Sequence, residues 1–195
     1  VPSGLKVSFL NIGQGDSIFI EAPNGNTVIF DGGPSSKILS ELGNVLPFYT
    51  HSIDLLVVTN PDKDHYAGFI DVVNRYSVGG FMEPGTKTKT DTYAQLKRDV
   101  ADHHIPETLA RRGQRIWLDD ESGVYIDILF PDRDVSGLST NDGSIVARLA
   151  YGKTSILLTG DSPQKIENYL TETVGTALKS TILKVGHHGS RTSTG

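Results

Sequence analysis

The sequence predicts an α/β protein with two β-sheets packed face to face and covered by helices. Three observations carry this. A β-meander opens the chain, strands and helices alternate through its middle, and a hairpin, a helix and a last strand close it. In the meander, Leu5 to Leu10 alternates Leu, Val and Phe against Lys and Ser, the period of a half-buried strand. "SIFIEA" continues as a second strand, and "PNGN" is a turn whose Asn24-Gly25 pair offers the positive φ angles of a tight hairpin. "TVIFDGG" is the third strand and ends at Asp31.

A helix near Lys37 to Leu42 precedes the buried strand "IDLLVVT". Phe69, Val72 and Val73 recur at helical spacing and predict a helix over Tyr66 to Tyr76. "VGGFME" reads as a short strand, Thr92 to His103 as a helix, and "QRIWLD" and "VYIDILF" as strands. A loop rich in Asp, Ser and Gly runs from Pro131 to Gly143. "SIVARLAYG" and "TSILLTGD" then form a hairpin about Gly152-Lys153, followed by a helix over Pro163 to Leu170 and the strand "STILKVG".

At 195 residues the chain fits one compact domain over 1–195. Hydrophobic residues at 37% with 21% charged exclude a disordered chain, and a net charge of -5 argues against coating nucleic acid by charge alone. Lys87, Lys89, Lys97, Arg98, Arg111, Arg112 and Arg115 nevertheless fall in one third of the chain, most simply as a solvated face. Without cysteine there are no thiolate ligands. No apolar run reaches the ~18 residues of a membrane span. A start at Val1 without a signal peptide is expected of a cut or processed chain.

Four strands finish in polar clusters: Asp31 in "FDGG", Asp62, Asp64 and His65 in "VTNPDKDH", Asp161 in "LLTGD", and His187 and His188 in "VGHHGS". Taken singly, Asp31 could be a turn carboxylate, Asp161 or Asp64 a helix cap, and the histidines surface groups. Together they present the carboxylate and imidazole donors that Zn²⁺, Mn²⁺ or Fe accept. Such a site activates water near neutral pH and polarises an ester or phosphoryl oxygen.

These motifs resemble those of metallo-β-lactamase-fold hydrolases, and in particular the C-terminal hydrolase domain of the ComEC family of DNA-uptake proteins. The resemblance rests on "FLNIGQGDSIFI", "FDGG", "PDKDHYAGF", "NDGSIVARLAYG", "ILLTGD" and "LKVGHHGS", in family order along nearly the whole chain. It implies an αββα sandwich with a one- or two-metal site. Asp64 and His65 match ligands of one metal, Asp161 the bridging carboxylate, and His187 the last histidine ligand, with His188 as the competing choice. Asp62 stands where many members carry histidine, and Asp31 would steady the metal loop. Family members continue beyond "HHGS", so the resemblance implies a further C-terminal segment that would close one sheet edge.

Asn60 stands where the family places its first metal-motif histidine. An amide oxygen is a weak neutral ligand, so one of two metal positions should be poor, with Asn141 and Asp142 offering partial compensation. The oxygen-rich donors favour Mn²⁺, with Zn²⁺ as a strong competitor.

The expected function is a metal-dependent phosphodiesterase acting on single-stranded DNA during uptake. Asp62 would orient water or act as base, His188 would protonate the leaving oxygen, and Lys184, Arg191 and the arginines around Arg111 would touch phosphates. The alternatives are hydrolysis of a small phosphoester or lactone, and a degenerate module that binds DNA or a partner without turnover. A membrane channel within a larger protein is the expected neighbour of a DNA-uptake domain. That places the chain on the extracytoplasmic face of the envelope. A free enzyme would be cytoplasmic or secreted.

Overall fold

The computed structural model describes residues 4–189, 191 and 193. The chain divides into two compact units, Val1–Glu83 with Thr88–Thr108, and Pro84–Lys87 with Leu109–Gly195.

In the first unit, β1 (Lys6–Phe9), β2 (Ile18–Glu21) and β3 (Thr27–Phe30) form the antiparallel meander. At its second turn only Gly25 takes a positive φ, 93°. Its N–H donates to the Ala22 carbonyl at 2.9 Å, so Pro23 and Asn24 sit at the centre of the turn. Proline's restricted φ suits the first of those two positions. The Asn24-Gly25 turn expected from the sequence is therefore shifted by one residue.

The chain continues through α1 (Lys37–Val45), β4 (Ser52–Ile53) and β5 (Leu55–Val57). The expected strand over 53–59 is broken at Asp54. That carboxylate turns to accept the Thr27 N–H at 2.7 Å and the Thr27 hydroxyl at 3.0 Å. Next come α2 (Lys63–Tyr66), α3 (Phe69–Arg75), β6 (Ser77–Val78), β7 (Phe81–Glu83), α4 (Asp91–Asp102) and β8 (Glu107–Leu109). The large sheet has the order β1-β2-β3-β5-β7-β8, while β4 and β6 pair as a separate ribbon. Because β3, β5 and β7 run parallel, the loops leaving β3 and β5 emerge side by side at one end of the sheet.

Phe19 and Ile29 of the sheet pack with Ile38 and Leu42 of α1, Phe69 and Val72 of α3, and Leu96 and Val100 of α4. The single helix expected over 66–76 arrives as two pieces where the Gly68 N–H leaves the helical ladder for the Gly33 carbonyl at 3.0 Å, with Gly68 close against the loop after β3. A Cβ there would lie 2.2 Å from the Gly32 carbonyl oxygen. Thr90 starts α4 by accepting the Tyr93 N–H at 3.3 Å, and its hydroxyl also meets that of Tyr66 at 2.8 Å.

The second unit holds β9 (Arg115–Asp119), β10 (Val124–Phe130), β11 (Val146–Tyr151), β12 (Thr154–Leu158), α5 (Gln164–Thr173) and β13 (Ile182–Lys184). The sheet order is β13-β12-β11-β10-β9, antiparallel except for the β12–β13 pair that α5 connects. Leu170 of α5 packs on Leu129, Phe130 and Val146. β13 lies at one end of the strand order, with Ile182 and Leu183 exposed. Among the described residues no helix is long and apolar enough to cross a membrane.

Gly68→Ala forces a methyl group into the Gly32 carbonyl and should destabilise the fold by about 1–3 kcal/mol. Urea unfolding would show this as a lower midpoint at an unchanged m-value.

Candidate metal centre

In the first unit the site is built on the loops after β3 and β5. Asp31 is buried at a left-handed φ of 60°, a conformation that few residues other than glycine adopt. Its carboxylate accepts the Thr59 N–H at 2.7 Å, the Thr59 hydroxyl at 2.6 Å, and Nδ1 of His65 at 2.9 Å. Burial pushes the Asp31 carboxyl above its ordinary value, while His65 and Thr59 pull it down. An acceptor-only carboxylate calls for the proton on Nδ1, which leaves Nε2 of His65 as the ligand nitrogen. Two backbone bonds brace this arrangement: Gly32 N–H to the His65 carbonyl at 2.5 Å, and Gly68 N–H to the Gly33 carbonyl at 3.0 Å.

Asn60 is fully buried, and its side-chain oxygen accepts the Asp62 N–H at 3.1 Å. That amide shapes the turn into α2. Asp62 and Asp64, both half-buried, flank Lys63 at the start of α2.

The reading of strand ends did not single out Asp16, which lies in the loop before β2. Its ligand atom and that of His65 lie within 4.8 Å of one another. The loop approaches so closely that a Cβ on Gly15 would lie 2.1 Å from the Asp64 carbonyl oxygen, and Gly15 also has a φ of 105°. Glycine is required there on both counts. The signal was present in the sequence as "GQGD", an aspartate directly after Gly15 with Gly13 two residues further back.

In the second unit the loops after β12 and β13 are laced together. The Thr159 hydroxyl donates to the Lys184 carbonyl at 2.9 Å, the His187 N–H to the Gly160 carbonyl at 3.2 Å, and Lys184 Nζ to that same carbonyl at 3.3 Å. Asp161 is buried, and its carboxylate lies 3.7 Å from Nε2 of His188. His187 and His188 both have positive φ, 45° and 52°. Non-glycine residues in that region collect at functional sites. The His187 ring stands edge-on to that of His188, with centroids 6.1 Å apart. Asn141 and Asp142 form a single 3₁₀ turn, where the Asp142 carboxylate accepts Lys165 Nζ of α5 at 2.7 Å. Arg191 is exposed.

Each unit thus offers one carboxylate beside one imidazole: Asp16 with His65, and Asp161 with His188. Mixed oxygen and nitrogen donors of this kind suit a divalent ion such as Mn²⁺ or Zn²⁺.

The architecture is that of the metallo-β-lactamase fold. The subclass B3 enzyme MEM-A1 from a soil metagenome library matches at TM-score 0.57 and 12% identity, over 96% of this chain and 80% of that one. A Cronobacter sakazakii metallo-β-lactamase variant matches at 0.53 and 12%, over 91% and 73%. The diiron β-hydroxylase CmlA of Streptomyces venezuelae matches at 0.53 and 15%, over 90% and 33%. A fold that carries both β-lactamases and an oxygenase does not choose a reaction.

Within that fold the chain is similar, over nearly its full length, to competence proteins of the ComEC family. It is 30% identical to Recombination protein 2 of Haemophilus influenzae, over 97% of this chain and 22% of the relative. It is 28% identical to ComE operon protein 3 of Bacillus subtilis, over 97% and 26%, and 26% identical to Competence protein ComA of Neisseria gonorrhoeae, over 96% and 24%. The chain therefore spans about a quarter of these relatives' length. No protein-family model matches it.

Asp31→Ala strips a buried histidine of its carboxylate and should cost about 3–5 kcal/mol of stability. Denaturant unfolding of the two proteins checks this, and a cost below about 1 kcal/mol would show that Asp31 does not anchor the loop.

Proposed function

We propose that the chain is a metal-dependent phosphodiesterase that hydrolyses single-stranded DNA, with divalent-metal ligands drawn from Asp16 and His65 in the first unit and from Asp161 and His188 in the second. The observation that carries this reading is the Asp31–His65 pair. A buried carboxylate that sets the tautomer and aim of an imidazole is the usual support of a metal-ligating histidine. Asp64 and His187, the ligands implied by the family resemblance, are the adjoining alternatives. Mn²⁺ or Zn²⁺ would supply Lewis acidity at the phosphoryl oxygen and a lowered pKa for water.

The protein's own groups do the rest. Asp31 holds the Nδ1 proton of His65, and Thr59 keeps Asp31 in place. Asp62 would accept the proton of the attacking water, and His187 would return one to the leaving oxygen. Asn60 is engaged in the turn into α2, which favours one ion over two. Similarity to competence proteins supports DNA as the substrate. It also supports work on the extracytoplasmic face of the envelope, beside the membrane channel of a larger protein.

Labelled single-stranded DNA should be cut when Mn²⁺ or Zn²⁺ is added. His65→Ala and Asp161→Ala should abolish cutting, and Asp31→Asn should reduce it by about 10–100-fold. A blank result with both metals would overturn the reading. Turnover of bis-p-nitrophenyl phosphate alone would move the substrate to small phosphoesters, and DNA binding without cleavage would mark a non-catalytic module.

A further inference from the structure

The basic residues clustered in the sequence separate in three dimensions. Lys97 is consumed in unit 1, where it pairs with Glu83 at 2.8 Å and with Glu107. Arg111, Arg112 and Arg115 lie in unit 2, next to the chain's single tryptophan.

Trp117 is 52% exposed on β9, an end strand of its sheet. The register places Tyr125 of β10 directly opposite Trp117, and Asp127 opposite Arg115, so strand alternation puts all four side chains on one face. The two rings lie 5.2 Å apart. The Arg115 guanidinium sits over both, 5.3 Å from the Trp117 centroid and 3.9 Å from that of Tyr125. Asp127 clamps Arg115 from the side with two bonds, at 2.6 and 2.9 Å. Beside this stack a cavity of about 320 Å³ is lined by Arg112, Gln114, Arg115 and Asp127, among others. Arg112 itself lies 3.6 Å from Asp132.

The exposed indole offers apolar area that a stacked ligand would bury. This one is also pre-organised. Arg115 is already locked against both rings, so a planar ligand landing on the indole would order little else. The cations run from Arg115 toward Arg112, while the acidic turn at Asp119, Asp120 and Glu121 lies at the other end of β9. A flat π surface beside guanidiniums is how single-stranded nucleic acid is held without sequence preference: bases stack while the cations follow the phosphates.

We propose that the Arg112–Arg115–Trp117–Tyr125 strip binds single-stranded nucleic acid, with one base stacked on Trp117 and the adjoining phosphates facing Arg112 and Arg115. The strip works without metal and does not depend on the hydrolytic reading.

Because Trp117 is the sole tryptophan, its fluorescence reports this surface alone. Titration with oligo-dT in EDTA should quench the emission saturably, while duplex DNA and a neutral oligosaccharide should leave it unchanged. Trp117→Leu, followed by anisotropy of a labelled oligonucleotide, should weaken binding by at least about fivefold. Arg115→Gln should weaken binding and lower the log–log salt slope by about 0.7, and Arg115→Lys should restore that slope. Circular dichroism of each variant confirms folding. Quenching without cleavage under any metal upholds the strip and counts against the phosphodiesterase. Cleavage without quenching overturns the strip and leaves the phosphodiesterase standing. Quenching by the oligosaccharide in place of the oligonucleotide also overturns the proposal.

Discussion

Asp31 accepts hydrogen bonds from both donors of Thr59 and from His65, and the placement of His65 in unit 1 hangs on those three contacts. Magnitudes show why the arrangement holds. Burying a lone carboxylate costs several kcal/mol, and a left-handed φ on a non-glycine residue adds about 1–3 kcal/mol. Hydrogen bonds to a charged group contribute about 1.5–3 kcal/mol each, so three of them offset much of that cost, while burial still holds the carboxyl above its ordinary value. The parallel pairing of β3 with β5 brings Asp31 and Thr59 to the same end of the sheet. Topology, local strain and site chemistry are thus one problem with one solution.

The second unit solves the same problem differently. Backbone and hydroxyl bonds lace the loops after β12 and β13, and the two histidines sit at positive φ, with the buried Asp161 carboxylate 3.7 Å from Nε2 of His188. Asp161 is buried, but the His188 side chain keeps 30% of its exposure. His188 is thus the more accessible imidazole, while His65 is fully buried.

The sequence made the long apolar strands and the four polar strand ends legible, because strand periodicity and a sudden change to Asp and His are local signals. What it hid depended on contacts between distant segments. The strand at 53–59 breaks because Asp54 reaches back to Thr27, 27 residues earlier. The helix at 66–76 breaks where the Gly68 N–H turns to the Gly33 carbonyl, 35 residues earlier. β8 has no hydrophobic pattern, since all three of its residues are exposed. Asp16 escaped notice because it follows a glycine loop and not a strand, and only the close approach of Gly15 to Asp64 brings it near His65. Asn60 was legible as a departure from the family motif, but its bond to the Asp62 N–H could not be read without coordinates.

The proposed function requires a divalent ion bound through the carboxylate and imidazole donors of the chain, among them His65 of the first unit and Asp161 of the second. Equilibrium dialysis against Mn²⁺, run on the wild-type chain, His65→Ala and Asp161→Ala, tests it directly. Tight Mn²⁺ binding by the wild-type chain that is reduced in each variant is the result predicted. Mn²⁺ binding left unchanged by loss of His65 or of Asp161, or a wild-type chain that binds none, would contradict it.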